Sequence, residues 1–297
     1  MSEFQQFYEA IEELDLLTKE GFFGESAKKL IEKRDNMKIT DFLYECSVDT
    51  FSNPHSNYGI KNIIDIMFML LELYIEAIKA TSTETVDNIL AAFLKGTKEH
   101  PELECISSYI EYSSYHVEFK NLSSKLTKQT STTVSEKRRL ANSILSSYSK
   151  GVEFIGKSFA YLLALEEVIH NQPCDLYKNL SLTTYQKTNK FLKLSDGKYK
   201  MLTTVIDRDI RNADSHLNAH YSVKEQCYII KKNKNSRMRI YKLPLEKMLF
   251  EVYPKIGWFV QGYLNACALL VLAGQDKRLY KQILQLISEV YSNPNIR

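Results

Sequence analysis

Glycine and proline are scarce in this chain, at 10 and 6 residues out of 297. So few turn makers argue for long helices. The five cysteines, at positions 46, 105, 174, 227 and 267, stand far apart with no CxxC pair. That spacing fits neither a disulfide framework nor a cysteine-built zinc site, and it predicts reduced, mostly buried thiols. The acidic start, MSEFQQFYEAIEELD, lacks the basic flank and apolar run of a secretion signal, so a cytoplasmic protein is expected. Two apolar stretches invite comparison with a membrane span. Ile63 to Ile78 carries Asp65, Glu72 and Glu76, whereas Ile256 to Ala273 is uncharged but holds Gln261, Asn265 and two glycines. Neither has a one-sided basic flank, so both are expected to be core helices, with no membrane contact. What is present is an ordinary globular composition, 44% hydrophobic and 25% charged, with enough length for one large domain or two smaller ones.

A net charge of +3 hides an uneven distribution. Residues 1 to 120 hold 11 basic and 22 acidic side chains, a balance of −11, which leaves +14 for the remainder. Residues 186 to 242 alone hold 14 Lys or Arg against 5 Asp or Glu. This segment, running from Lys187 through Lys190, Lys193, Lys198, Lys200, Arg208 and Arg211 to Arg239, is where a polyanion would bind. Tyr185, Tyr199, Tyr221, Tyr228 and Tyr241 interleave with the charges as candidate stacking platforms for bases. The opposite charge of the first 120 residues suggests a cover over that face.

Apolar stripes at helical spacing, such as Phe4, Phe7, Tyr8, Ile11, Leu14 and Ile66, Met69, Leu70, Leu73, Ala77, predict helices near 2–19, 25–35, 58–80, 84–97 and 102–118. The polar run NLSSKLTKQTSTTVS, residues 121 to 135, coincides with the change of charge and marks a boundary between an acidic helical region (1–125) and a second region (130–297). Ser135-Glu136-Lys137-Arg138 opens a long helical pattern to about His170, followed by helices near 180–194 and 198–219. Cys227 to Lys231 and Met238 to Lys242 are β-prone runs around a turn-rich segment, predicting a hairpin with a basic tip. Pro244 then starts a helix leading into the apolar helix from Ile256 to Ala273, and a last helix covers about 276–291.

Residues Gly151 to Ser158, GVEFIGKS, satisfy the G-x4-GK-S phosphate-loop pattern. That loop needs a buried strand feeding a turn whose amides wrap a phosphate, whereas the flanking residues here have helical periodicity and the spacer is bulky and apolar. The string reads as the middle of a helix, and a nucleotide-dependent switch is the lesser alternative.

The strongest concentration of chemistry is Asp207 to Tyr221, DRDIRNADSHLNAHY. Continued as one helix, it sets Arg208, Asn212, His216 and His220 on a stripe with four-residue steps, with Arg211 and Ser215 on its flank. Arginine grips phosphate through paired hydrogen bonds, and histidine takes and returns a proton near neutral pH. His216 would act on the ribose 2′-OH or the departing 5′-oxygen, Arg211 would balance charge on the transition state, and Asn212 would orient either partner. Arg208, His220, Tyr221, Lys231, Lys232, Lys234, Arg237 and Arg239 are the RNA-binding candidates. One helix supplies one such set, so a homodimer with a composite site is expected. Other readings remain. His216 and His220 have metal-pair spacing, but no third ligand is well placed, so no metal or cofactor is expected. Arg211 pairing with Asp207 one turn back would leave His216 a core residue. His55, His100, His116 and His170 have no matching partners and read as structural.

Arg211, Asn212 and His216 resemble the Arg-polar-x3-His signature of the HEPN superfamily, and the likeness extends over about residues 130–295. It implies an all-α fold, a helical bundle with one short β-hairpin, here preceded by an additional helical region. It also implies a metal-independent endoribonuclease, dimeric, of the kind used as toxins and in abortive infection against phage, with an inhibitory or triggering protein partner. Certain toxin relatives carry a Tyr two residues after the His as a modification target; here that position is Asn218. A non-catalytic helical adaptor for RNA or protein is the alternative.

Overall fold

The computed structural model describes residues 4–52, 58–215, 219–234 and 237–294. Helices dominate, as the scarcity of turn makers predicts. The amino-terminal part comprises α1 (Gln5–Lys19), α2 (Glu25–Arg34), α3 (Ile39–Ser52), α4 (Ile60–Ala80), α5 (Thr83–Lys95) and α6 (Ile106–Thr127). Helix α3 lies where the apolar pattern showed none. Its inward face mixes Thr40 and Ser47 with Leu43, Tyr44, Val48 and Phe51, so polar residues interrupt the apolar stripe. The polar run from residue 121 begins inside α6, and only 128–133 connect α6 to α7 (Val134–Ile169).

Helix α7 starts at a reciprocal cap: the Glu136 amide donates to Thr133 Oγ1 at 3.2 Å, and the Thr133 amide donates to the Glu136 carboxylate at 2.8 Å. Its 36 residues extend about 54 Å at the usual helical rise. From Gly151 onward it is buried around nearly its whole circumference, as expected of a helix apolar on every side. Gly151 to Ser158 therefore lies in mid-helix, where the amides belong to the helix ladder and no loop exists to cradle a phosphate. The two glycines have another use. A Cβ on Gly151 would stand 2.2 Å from Ile256 Cγ2, and one on Gly156 would stand 2.5 Å from Thr184 Oγ1. Their missing side chains let two other helices seat against α7.

After α7 come α8 (Leu176–Ser181), α9 (Thr184–Leu194), α10 (Lys200–Thr203) and α11 (Arg208–Ser215). The single helix expected near 198–219 is instead the two short helices α10 and α11, and it does not reach 219. Ala219–Ser222 is a strand, β1, paired antiparallel with β2 (Cys227–Lys234), which pairs with β3 (Arg237–Pro244) in the order β1-β2-β3. The hairpin β2–β3 thus supplies the central strand and one edge of a three-stranded sheet. Period-two burial explains the correction: Tyr221 turns inward beside Tyr228, ring centroids 5.5 Å apart, while His220 between Ala219 and Tyr221 faces solvent. The sheet is tied to α7 by the Tyr228 hydroxyl, which donates to the Ala141 carbonyl at 2.6 Å.

A short α12 (Leu245–Lys247) and a π-helical turn (Met248–Val252) run into α13 (Pro254–Gln275), and α14 (Lys277–Ser292) closes the fold. Pro254 has no N–H for the Phe250 carbonyl, and the Tyr58 hydroxyl donates to that oxygen at 3.3 Å instead. Leu245–Gln275 is long and apolar enough to cross a membrane by length and composition. In the fold, α13 packs on α3, α4, α7 and α14, with Gly262 against Ile66. Phe51, Ile66, Leu70, Tyr74, Phe154, Phe159, Phe259 and Tyr263 belong to one buried cluster, so helices on both sides of 128–133 share a core. All five cysteines are free; Cys105 and Cys227 are buried, and Cys174, contrary to the general expectation, is exposed.

Candidate functional site

Helix α11 is short and polar, and its placement depends on three contacts. Ile210 is its buried anchor. The Asp207 carboxylate caps it, Oδ1 accepting from the amides of Asp209 at 2.9 Å and Ile210 at 3.2 Å. Tyr148 of α7 receives the Asp207 amide on its hydroxyl at 2.7 Å. Asp207 therefore serves the backbone of α11 as its cap.

Arg208 and Arg211 line a cavity of about 380 Å³ between α7, α9 and α11. Its other walls are rich in hydroxyl and amide groups, from Thr183, Thr184, Thr188, Asn189 and Thr203, with Val152, Leu192 and Ile206 behind them. The Arg208 guanidinium lies 4.0 Å over the Tyr185 ring, and Tyr185 is half exposed. Stacking occupies the guanidinium face and leaves its in-plane N–H donors for an anion. A small cavity with two arginines and a ring of hydroxyls is chemically suited to a phosphate with part of a nucleoside.

The other expected site residues divide three ways. His216 lies outside the described residues, directly after the last residue of α11; the side chain of Asn212 is likewise outside them. His220 is on β1 opposite Ile229, so it cannot continue the helical stripe of Arg208 and Asn212, and the helical metal pair with His216 has no helix to stand on. Tyr221 is buried and not available for stacking; burial raises its hydroxyl above the usual tyrosine range. Tyr228 and Tyr199 are buried as well, the latter donating to Glu76 at 2.9 Å, and Tyr241 is partly buried, so among the five interleaved tyrosines Tyr185 is the most exposed.

The basic segment is also smaller than its count suggests. Lys187 is buried and donates to the Gly156 carbonyl at 3.0 Å, and burial pushes its amine down to about 8. Lys190 is paired with Glu167, Lys198 with Glu72 and Glu76, and Lys242 with Glu225. Lys231 and Arg239 are exposed, and the register sets Lys232 opposite Arg239 and Lys234 opposite Arg237. The side chains of Lys232, Lys234 and Arg237 lie outside the description. Among the described residues, no three His, Cys, Asp or Glu side chains gather as a metal site.

The histidine passed over as structural, His116, has a more particular setting. Its Nδ1 meets the Tyr253 hydroxyl at 2.5 Å, and that hydroxyl meets Ser147 Oγ at 2.6 Å. No spacing in the sequence links residues 116, 147 and 253; only the packing of α6, α7 and α13 brings them together. Compared with protein-family models, curated proteins and solved structures, the chain matches none.

Proposed function

We propose that the chain is a metal-independent endoribonuclease of the HEPN type, acting in the cytoplasm as a toxin or abortive-infection effector against phage. The observation that carries this reading is the pair Arg208 and Arg211 on one capped helix, both lining a hydroxyl-rich cavity, with the Arg-Asn-x3-His motif continuing from that helix. In this mechanism Arg211 binds the scissile phosphate and balances the charge of the transition state, and Arg208, held on Tyr185, binds a neighbouring phosphate. His216 moves the proton of the 2′-OH or of the leaving 5′-oxygen, and Asn212 orients it. The exposed cations of the hairpin, Lys231 and Arg239 among them, track the RNA backbone. A second copy facing the first supplies the complementary acid or base, and a protein partner restrains or triggers the activity.

The test is cleavage of total RNA and tRNA in excess EDTA by the wild type, Arg211→Ala and His216→Ala. Loss of a proton-transfer residue costs about 10²-fold or more in rate, and the products should end in 2′,3′-cyclic phosphate. Cleavage unchanged in both variants overturns the assignment. Tight RNA binding without cleavage by the wild type would replace it with the adaptor reading.

A further inference from the structure

A second cavity shares no lining residue with the one that holds Arg208 and Arg211. It measures about 800 Å³ and opens between α1, α2, α3, α6 and α13. That volume is in the range of pockets that hold drug-sized molecules. Its walls are mainly apolar and aromatic, with Phe23, Phe42, Tyr109, Tyr112 and Trp258 among them.

Three features make this more than a packing gap. Gly257 sits within α13 on the cavity wall, and a Cβ placed there would meet only the Tyr112 hydroxyl, at 4.0 Å. A glycine inside a helix costs about 1 kcal/mol relative to alanine, and here no neighbouring group requires it. Next, the walls carry polar groups of distinct kinds. His116 uses Nδ1 on Tyr253, leaving its other ring nitrogen without a partner among the described residues, and burial, with Lys120 nearby, pushes the imidazole down to about 4 and keeps it neutral. Arg34 is locked to Asp15 by two hydrogen bonds of 2.6 and 2.7 Å, so this pair contributes no net charge. Finally, Lys120 is exposed at the rim and has no ion-pair partner among the described residues, whose charges leave the lining with one uncompensated positive charge.

We propose that this cavity is a binding site for a small amphipathic organic anion, with a flat apolar body against the aromatic walls and its single negative charge at Lys120. A hydroxyl or carbonyl on the body reaches the unpartnered nitrogen of His116. The site is independent of the ribonuclease reading and uses none of its residues.

Two fluorescent probes that differ by one sulfonate test it on the full chain: 8-anilinonaphthalene-1-sulfonate and uncharged N-phenyl-1-naphthylamine. The anionic probe should bind once per chain with saturable micromolar affinity. Gly257→Leu fills the cavity from the helix and should weaken both probes at least tenfold while the melting temperature holds or rises. Lys120→Glu, at an exposed position, should weaken the anionic probe several-fold and leave the uncharged one unchanged. Unaltered binding in a folded Gly257→Leu, or binding at many sites per chain, overturns the cavity assignment. Should Gly257→Leu fail to fold, Lys120→Glu decides: equal effects on both probes, or none on either, overturn the proposal.

Discussion

Gly151 offers a sharp test of what the GVEFIGKS string does. Replacing it with alanine adds one methyl group whose carbon would stand 2.2 Å from Ile256 Cγ2 and 3.1 Å from the Tyr112 ring. Comfortable carbon contacts are about 3.5–4.0 Å, so more than 1 Å must be found between two groups that are both buried. Overpacking of this kind costs about 1–3 kcal/mol, against a gain of up to about 1 kcal/mol from removing a helical glycine. Gly274, near the end of α13 with nothing within 4 Å of its would-be Cβ, supplies the control, since Gly274→Ala makes the gain without the clash. The two variants should differ by about 1–3 kcal/mol in urea unfolding followed through the single tryptophan, Trp258. For a chain of this length each kcal/mol moves the melting temperature by about 2 °C. Ile256→Leu removes Cγ2 at nearly constant volume, so in the Gly151→Ala background it should restore stability with a coupling above about 0.5 kcal/mol. If Gly151→Ala is as stable as Gly274→Ala, or if Ile256→Leu gives no rescue, the close approach of α13 to α7 is refuted.

Glu166, which is buried, and His116, which is partly buried, set opposing pH dependences. Burial raises the Glu166 carboxyl to about 7 from its ordinary 4.5, so between these values the folded state holds a proton that the unfolded state has released, and stability falls as pH rises. His116, lowered by burial from 6.5 to about 4, works the other way: the unfolded state takes the proton first, and stability is lost as pH falls through this window. Glu166→Gln should therefore leave stability rising more steeply between pH 4.5 and 7, with a gain on the order of 2–3 kcal/mol at pH 8, measured by urea unfolding across pH. At the hairpin, Arg239→Ala should weaken RNA binding roughly uniformly and reduce the salt slope by about 1, whereas Tyr221→Phe, inside the sheet, should change neither. Titration of RNA at several salt concentrations reads both.

Long elements with strong apolar periodicity were legible in the sequence: α1, α4, α5, α7, α13 and α14 stand close to where their stripes or caps put them. Helix α3 was not, because Thr40 and Ser47 interrupt the stripe of Leu43, Tyr44, Val48 and Phe51 that it turns toward the core. The strand at 219–222 was hidden by a polar pattern that fits helical spacing equally well; pairing with β2 decided it, and local sequence carries no record of that partner. The basic segment was visible as a count, but which lysines are spent on Glu167, Glu76 and Glu225 depends on contacts made far along the chain. Arg208 and Arg211 were picked out from the sequence, whereas the threonines facing them from α9 carry no motif. The large cavity and its histidine were invisible for the same reason: voids are properties of packing.

Ser147 and Tyr148 are consecutive residues of α7, yet they serve opposite ends of the molecule's chemistry. Ser147 bonds to Tyr253, which reaches the large cavity through His116; Tyr148 bonds to the amide of Asp207, which begins the arginine helix. A rigid helix cannot turn at one of these residues without turning at the next. An occupant beside His116 and an anion on Arg208 and Arg211 would therefore both lean on the same axle. Any free energy passed along that axle is reciprocal, so an occupant that steadied the arginines would itself be held more tightly, by the same factor, when they were engaged.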